Sequence, residues 1–197
     1  MTMKLDASHK CIIKNWEAID RMNACREQVD GYVREIAKRA FHGLKPKWQE
    51  HFQEDDGLAR GAWIQLKPKA ILQVKESSKY HFVIGIEEIK GQTILHPSAD
   101  YFCKAYVYSV YGSDKNRQML INNALHKTAK APGGFVLGDL NAGGYVFEKQ
   151  LPSLTCEEFE DPQPLESYFV EPMLVLIEWW KTNENVILDA LLKTTSS

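Results

Sequence analysis

YHFVIGIEEIKG, residues 80–91, is the stretch on which the fold turns. Its apolar core, FVIGI, is rich in β-branched side chains, and polar or turn-forming residues bound it on both sides, as expected of a strand. Over residues 80–90 the two-residue repeat puts Phe82, Ile84, Ile86, Glu88 and Lys90 on one face.

Just upstream, residues 62–66 and 70–75 read as two more strands, separated by Lys67-Pro68-Lys69 and by Glu76-Ser77-Ser78-Lys79. Three strands with short connections imply an antiparallel meander. Pro68 donates no backbone hydrogen bond, so it belongs at a turn or an edge. Residues 43–61, with Gly43, Pro46 and the acidic run 54–56 before Gly57, read as a connector.

Further out lie two long helical patterns. From residue 8 to residue 42, Ile12, Trp16, Ile19, Met22, Cys25, Val29, Val33, Ile36 and Ala40 recur at steps of three and four, which makes one apolar stripe on a helix. Unbroken, that helix would reach roughly 50 Å, so a bend near Gly31 or packing across a whole sheet is expected. At the other end, residues 172–193 place Met173, Leu176, Ile177, Trp180, Ile187 and Leu191 on a shared face, with Pro172 in the first turn.

Between these, residues 98–111 (SADYFCKAYVYSVY) carry strand-forming residues, although Ser98 could instead cap a helix. A helix from Ser113 or Asp114 to about Lys130 would turn Met119, Leu120, Ala124 and Thr128 inward. FVLGDLNAGGYVFEKQL, residues 135–151, reads as a hairpin around Asn141-Ala142-Gly143-Gly144. Residues 151–166 read as an acidic linker. The expected fold is a single α+β domain spanning residues 1–197. A mainly antiparallel sheet, residues 62–149, is packed by the two terminal helices, with one further helix in the middle.

Composition agrees with a folding chain: 44% of the 197 residues are hydrophobic and 25% charged. The net charge of −2 hides a division. Residues 1–150 hold 22 Lys+Arg against 17 Asp+Glu, a balance of +5, while residues 151–197 hold 2 against 9, a balance of −7. Cys11, Cys25, Cys103 and Cys156 form no C-x-x-C pair, and the histidines show no zinc-type spacing, so no disulfide framework, metal site or cofactor is expected. Neither a signal-peptide core nor a membrane-length apolar run is present, and reduced thiols then place the chain in the cytoplasm.

Only one motif has the look of chemistry. Glu88-Ile89-Lys90 is similar to the E-x-K element of PD-(D/E)xK nucleases, and the order helix, three strands, helix, strand resembles their core. That resemblance implies Mg²⁺ or Mn²⁺ held by Glu88 and an upstream acid, with Lys90 helping to place the attacking water. The upstream acid nearest at hand is Glu76, twelve residues away, whereas the family places an aspartate in the preceding strand. An acid two places before a lysine also arises roughly twice by chance in a chain of this composition.

The expected function is therefore non-catalytic: a protein-binding module of the inhibitor, immunity-factor or adaptor type. Its acidic C-terminal quarter, Glu157, Glu158, Glu160 and Asp161, would meet a partner with a basic surface. Trp179, at the edge of the final helix's inner face, would either stand partly exposed and contact the partner or, with Trp180, seal the core margin. The pI near 6.3 speaks against a nucleic-acid partner. The Trp179-Trp180 pair and Tyr101, Tyr106, Tyr108 and Tyr111 are the other conspicuous aromatic groups.

Overall fold

The stretch around residue 84 does form a central strand. In a computed structural model that describes residues 7–56, 62–73, 80–98, 101–112, 115–138 and 144–195, the strands are β1 Phe52–Asp56, β2 Trp63–Pro68, β3 Tyr80–Glu87, β4 Lys104–Tyr111, β5 Val136–Leu137 and β6 Tyr145–Gln150. They make one antiparallel sheet in the order β1-β2-β3-β4-β6-β5. The helices are α1 Ala7–Lys14, α2 Trp16–Gly43, α3 Lys45–Trp48, α4 Lys69–Leu72, α5 Gly91–Leu95, α6 Lys115–Thr128, α7 Cys156–Glu160 and α8 Pro162–Thr195. This is the single α+β domain that the patterning predicts, with long helices near both ends.

One sheet face is the core. Ile64 and Leu66 of β2, Phe82, Ile84 and Ile86 of β3, and Ala105 and Val107 of β4 are all buried under the helices. Trp180 of α8 is fully enclosed against Phe82 and Phe52, with ring centroids 5.3 and 5.9 Å away. Trp179 closes on Phe147 of β6 at 5.6 Å. Met173, Leu176, Ile177, Ile187 and Leu191 are buried, as the helical spacing predicts.

Several expectations are corrected. The N-terminal helix breaks at Asn15, whose side chain takes the Cys11 carbonyl at 2.9 Å in competition with the backbone, and Gly31 lies unremarkably inside α2. Its stripe is buried only from Val33 onward, while Ile12, Trp16, Met22 and Val29 are exposed. The supposed connector contains β1, an edge strand ordered because Phe52 packs under Trp180 and because Phe52 to Asp56 pair with Pro68 to Ile64. Ala70 and its neighbours form the turn α4 instead of a strand; Pro68 ends β2, and Ile71 is buried by the helical turn.

In the ambiguous segment, the strand reading holds from Lys104 to Tyr111. α6 is rotated from expectation: Met119 and Leu120 are exposed, while Ile121, Asn122 and Leu125 face inward. Two polar side chains explain the rotation. Gln118 accepts from the Tyr111 amide at 2.5 Å and donates to the Ser109 carbonyl and to Asn122. It thereby completes backbone groups at the end of β4, which burial would otherwise leave unpaired.

The acidic linker is half helical. Asp161 accepts from the Gln163 amide at 2.9 Å, and α8 starts at Pro162, ten residues before the expected start, so Pro172 lies inside a helix. An internal proline costs about 3 kcal/mol. Burial of Leu165 and Phe169 before it and of Met173, Leu176, Ile177 and Trp180 after it, each worth about 1.5–3 kcal/mol, outweighs it. β5 and β6 pair antiparallel, as the predicted hairpin requires, and residues 139–143 lie outside the described residues. Among the described residues, no helix is long and apolar enough to cross a membrane.

Candidate binding cleft

The second sheet face is polar and aromatic. Residues that alternate with the core set project there: Trp63 and Gln65 from β2, Gly85 and Glu87 from β3, Lys104, Tyr106 and Tyr108 from β4, and Tyr145 and Glu148 from β6. Register turns these into rows across the strands. Trp63, Glu87 and Lys104 are in line, as are Gln65, Gly85, Tyr106 and Glu148. A register shift at Val107/Tyr108 then sets Tyr108 opposite Tyr145 and re-aims the following side chains.

Three tyrosines meet edge to face. Tyr145 lies 5.2 Å from Tyr108 and 5.5 Å from Tyr106, at interplanar angles of 68° and 89°. The phenol of Tyr145 donates to Glu87 at 2.5 Å, and Gln65 donates to the Tyr106 hydroxyl at 2.6 Å. Opposite Tyr106 is Gly85, where a Cβ would collide with the Ile64 carbonyl oxygen and crowd Gln65 Cα at 3.2 Å. Glycine there lets β2 approach and leaves room for the tyrosine ring above. Trp63, Gln65, Glu87, Tyr106, Tyr108 and Tyr145 enclose a cleft of about 260 Å³.

Its charges are linked. The Lys104 ammonium sits 3.2 Å from Glu87 and 3.4 Å from Glu148, and 3.6 Å from the centre of the Tyr145 ring. Burial, reinforced by the neighbouring Glu87 carboxylate, pushes the phenols of Tyr106, Tyr108 and Tyr145 above their ordinary range. All three therefore stay neutral near pH 7, and the half-buried Tyr108 and Tyr145 present ring surface to the cleft while Tyr106 is buried behind them. Among the described residues, two carboxylates against one ammonium give the cluster a balance of −1.

The residues singled out in the sequence lie elsewhere. β3 stops at Glu87, and Glu88 takes a left-handed conformation at φ 57°, which turns its side chain toward Lys90 at 2.8 Å. Burial pulls the Lys90 ammonium down, but hydrogen bonds to Glu88 and to Tyr101, the latter at 2.5 Å, raise it overall. The chain turn also uses the Glu88 carbonyl, which accepts from Thr93. Glu76 lies outside the described residues. Among the described residues, no group of three or more His, Cys, Asp and Glu side chains is placed to hold a metal.

Trp179 is not partly exposed. Only 7% of its surface is accessible, and its indole N–H donates to the Lys130 carbonyl at 2.6 Å. The acids Glu157, Glu158, Glu160 and Asp161 are on the surface, but two of them have local work. Glu158 completes a capping box with Thr155, and Asp161 caps α8. None of the four lines the tyrosine cleft.

Sequence reasoning missed the cleft itself. Lys104, Tyr106 and Tyr108 alternate visibly, so one wall is legible in the strand reading of residues 98–111. That Glu87, 58 residues before Tyr145, receives its hydroxyl depends on strand order. No known protein family, curated protein or solved structure matches this chain.

Proposed function

We propose that the protein is a non-catalytic, cytoplasmic binding module that grips a basic segment of a protein partner on the second face of its sheet. The supporting observation is the cleft: aromatic walls from four side chains, neutral phenols, and a carboxylate at the rim within a cluster of negative balance. Such sites, mostly aromatic with a few convergent polar groups, suit recognition, and tryptophan and tyrosine anchors dominate binding energy at interfaces. The exposed acids Glu157 and Glu160 would add long-range attraction for the same partner.

The phosphodiesterase alternative, with Mg²⁺ or Mn²⁺ on Glu88 and Glu76, has weaker support because Lys90 is already engaged by Glu88 and Tyr101. The test is a titration of fluorescent peptides of equal length, basic, neutral and acidic, against the wild type and a Trp63→Ala/Tyr108→Ala variant. Basic peptides should bind best, and the variant should lose about tenfold or more in affinity. Equal binding of basic and acidic peptides, or an unaffected variant, overturns the reading.

A further inference from the structure

Resting on that reading, we propose that the cleft accepts one weakly hydrated organic cation, a guanidinium or a quaternary ammonium on an alkyl stem, and that Lys104 is its built-in competitor. At about 260 Å³ the space falls below the ~300 Å³ where drug-sized pockets begin, which suits the head group of one side chain. The half-buried rings of Trp63, Tyr108 and Tyr145 supply π faces, the buried Tyr106 backs them, and Glu87 supplies the counter-charge. An anion would meet the Glu87 carboxylate.

Lys104 shows that this chemistry operates here. Its ammonium rests over the Tyr145 ring while touching both Glu87 and Glu148, so the ring and carboxylates already stabilise one cation. That cation does not line the cleft, and among the described residues it is one ammonium against two carboxylates. A guanidinium loses less hydration than an ammonium when it stacks on aromatic rings, so the cleft favours arginine or a methylated amine over plain lysine. Lys104 and the incoming cation share Glu87. Removing the lysine should therefore strengthen binding.

The experiment follows aromatic side-chain resonances of the full chain during titration with N-acetylarginine amide, tetramethylammonium, N-acetyl-lysine amide and, as a neutral isostere, N-acetylcitrulline amide. Saturable shifts of Trp63, Tyr108 and Tyr145 are expected with arginine, tetramethylammonium or both, and the arm that saturates earlier identifies an unmodified arginine or a methylated amine as the source. Lysine should bind several-fold more weakly, and citrulline should give no saturable shift. Glu87→Gln should weaken the cation about tenfold, and Lys104→Met should tighten it by a similar factor. Should Glu87→Gln fail to fold, Tyr108→Leu replaces it with the same expected loss.

Citrulline binding as well as arginine, or no saturation with any cation, overturns the cage. Unchanged affinity in Lys104→Met overturns the competitor role. Basic peptides that bind while the small cations do not would sink this inference and leave the binding-module reading standing. Small cations that bind while no peptide does would have the opposite effect.

Discussion

Gly85 and Glu88, three residues apart, show opposite uses of backbone freedom. Gly85 is needed for what a side chain would strike: its missing Cβ would meet the backbone of β2 directly, and backbone gives way only by moving the strand. Gly85→Ala should destabilise the protein by about 1–3 kcal/mol, as overpacking does, and shift the Tyr106 ring resonances. Chemical denaturation with unchanged m-value would measure the first, and an unmoved midpoint would show that β2 yields freely. Glu88, by contrast, holds a left-handed turn that is uncommon for a residue with a side chain. The turn directs Glu87 into the cleft and Glu88 out of it, so two adjacent acids serve separate surroundings. This explains why a motif resembling nuclease chemistry lies beside the cleft without lining it.

At the scale of elements, helix ends decide what the acidic segment does. Thr155 accepts from the Glu158 amide at 3.2 Å while Glu158 accepts from the Thr155 amide at 2.9 Å, a reciprocal cap that starts α7 and seats Phe159 against Tyr32. Thr155→Ala should cost about 1 kcal/mol, within the range for lost caps. Hydrogen exchange should quicken in α7 and leave β3 and β4 protected; uniform quickening would show that the cap matters to the whole fold instead. The same logic applies to α6, where Gln118 turns inward to serve β4, donates to the buried Asn122, and so sets a helix face that leaves Met119 and Leu120 outward. Hydrophobicity alone points to the opposite face. The unmet needs of a neighbouring strand override it.

For the molecule as a whole, burial on both sheet faces makes stability depend on protons. Tyr106 is enclosed and Tyr80 half-buried against the core, and burial raises both phenols above their ordinary range; burial raises the Cys103 thiol likewise. The folded state therefore holds these protons more tightly than the unfolded chain does. The resulting stability is fully present below the unfolded values, about 8.5 for the thiol and 10 for the phenols, and is lost as pH climbs toward the folded ones. Thermal melting should be flat through neutrality and fall steeply above about pH 10, with phenolate absorbance rising at the unfolding transition. Phenolate appearing at ordinary pH while the fold persists would contradict the enclosed geometry.

Patterning over short distances was enough to establish an α+β chain, the central strand through Ile84, the hairpin ending in β6, and the inner face of α8 around Trp180, because strand and helix periods are local properties of the chain. Strand order was not local. It joined β1 to the sheet, placed Glu87 under Tyr145, and brought Trp63 beside Tyr106, since a cleft between strands is made by register across many intervening residues. Burial of Trp179 was likewise decided in three dimensions, by the Lys130 carbonyl and the Phe147 ring that meet it, because the exposure of a residue at a helix margin depends on what packs alongside.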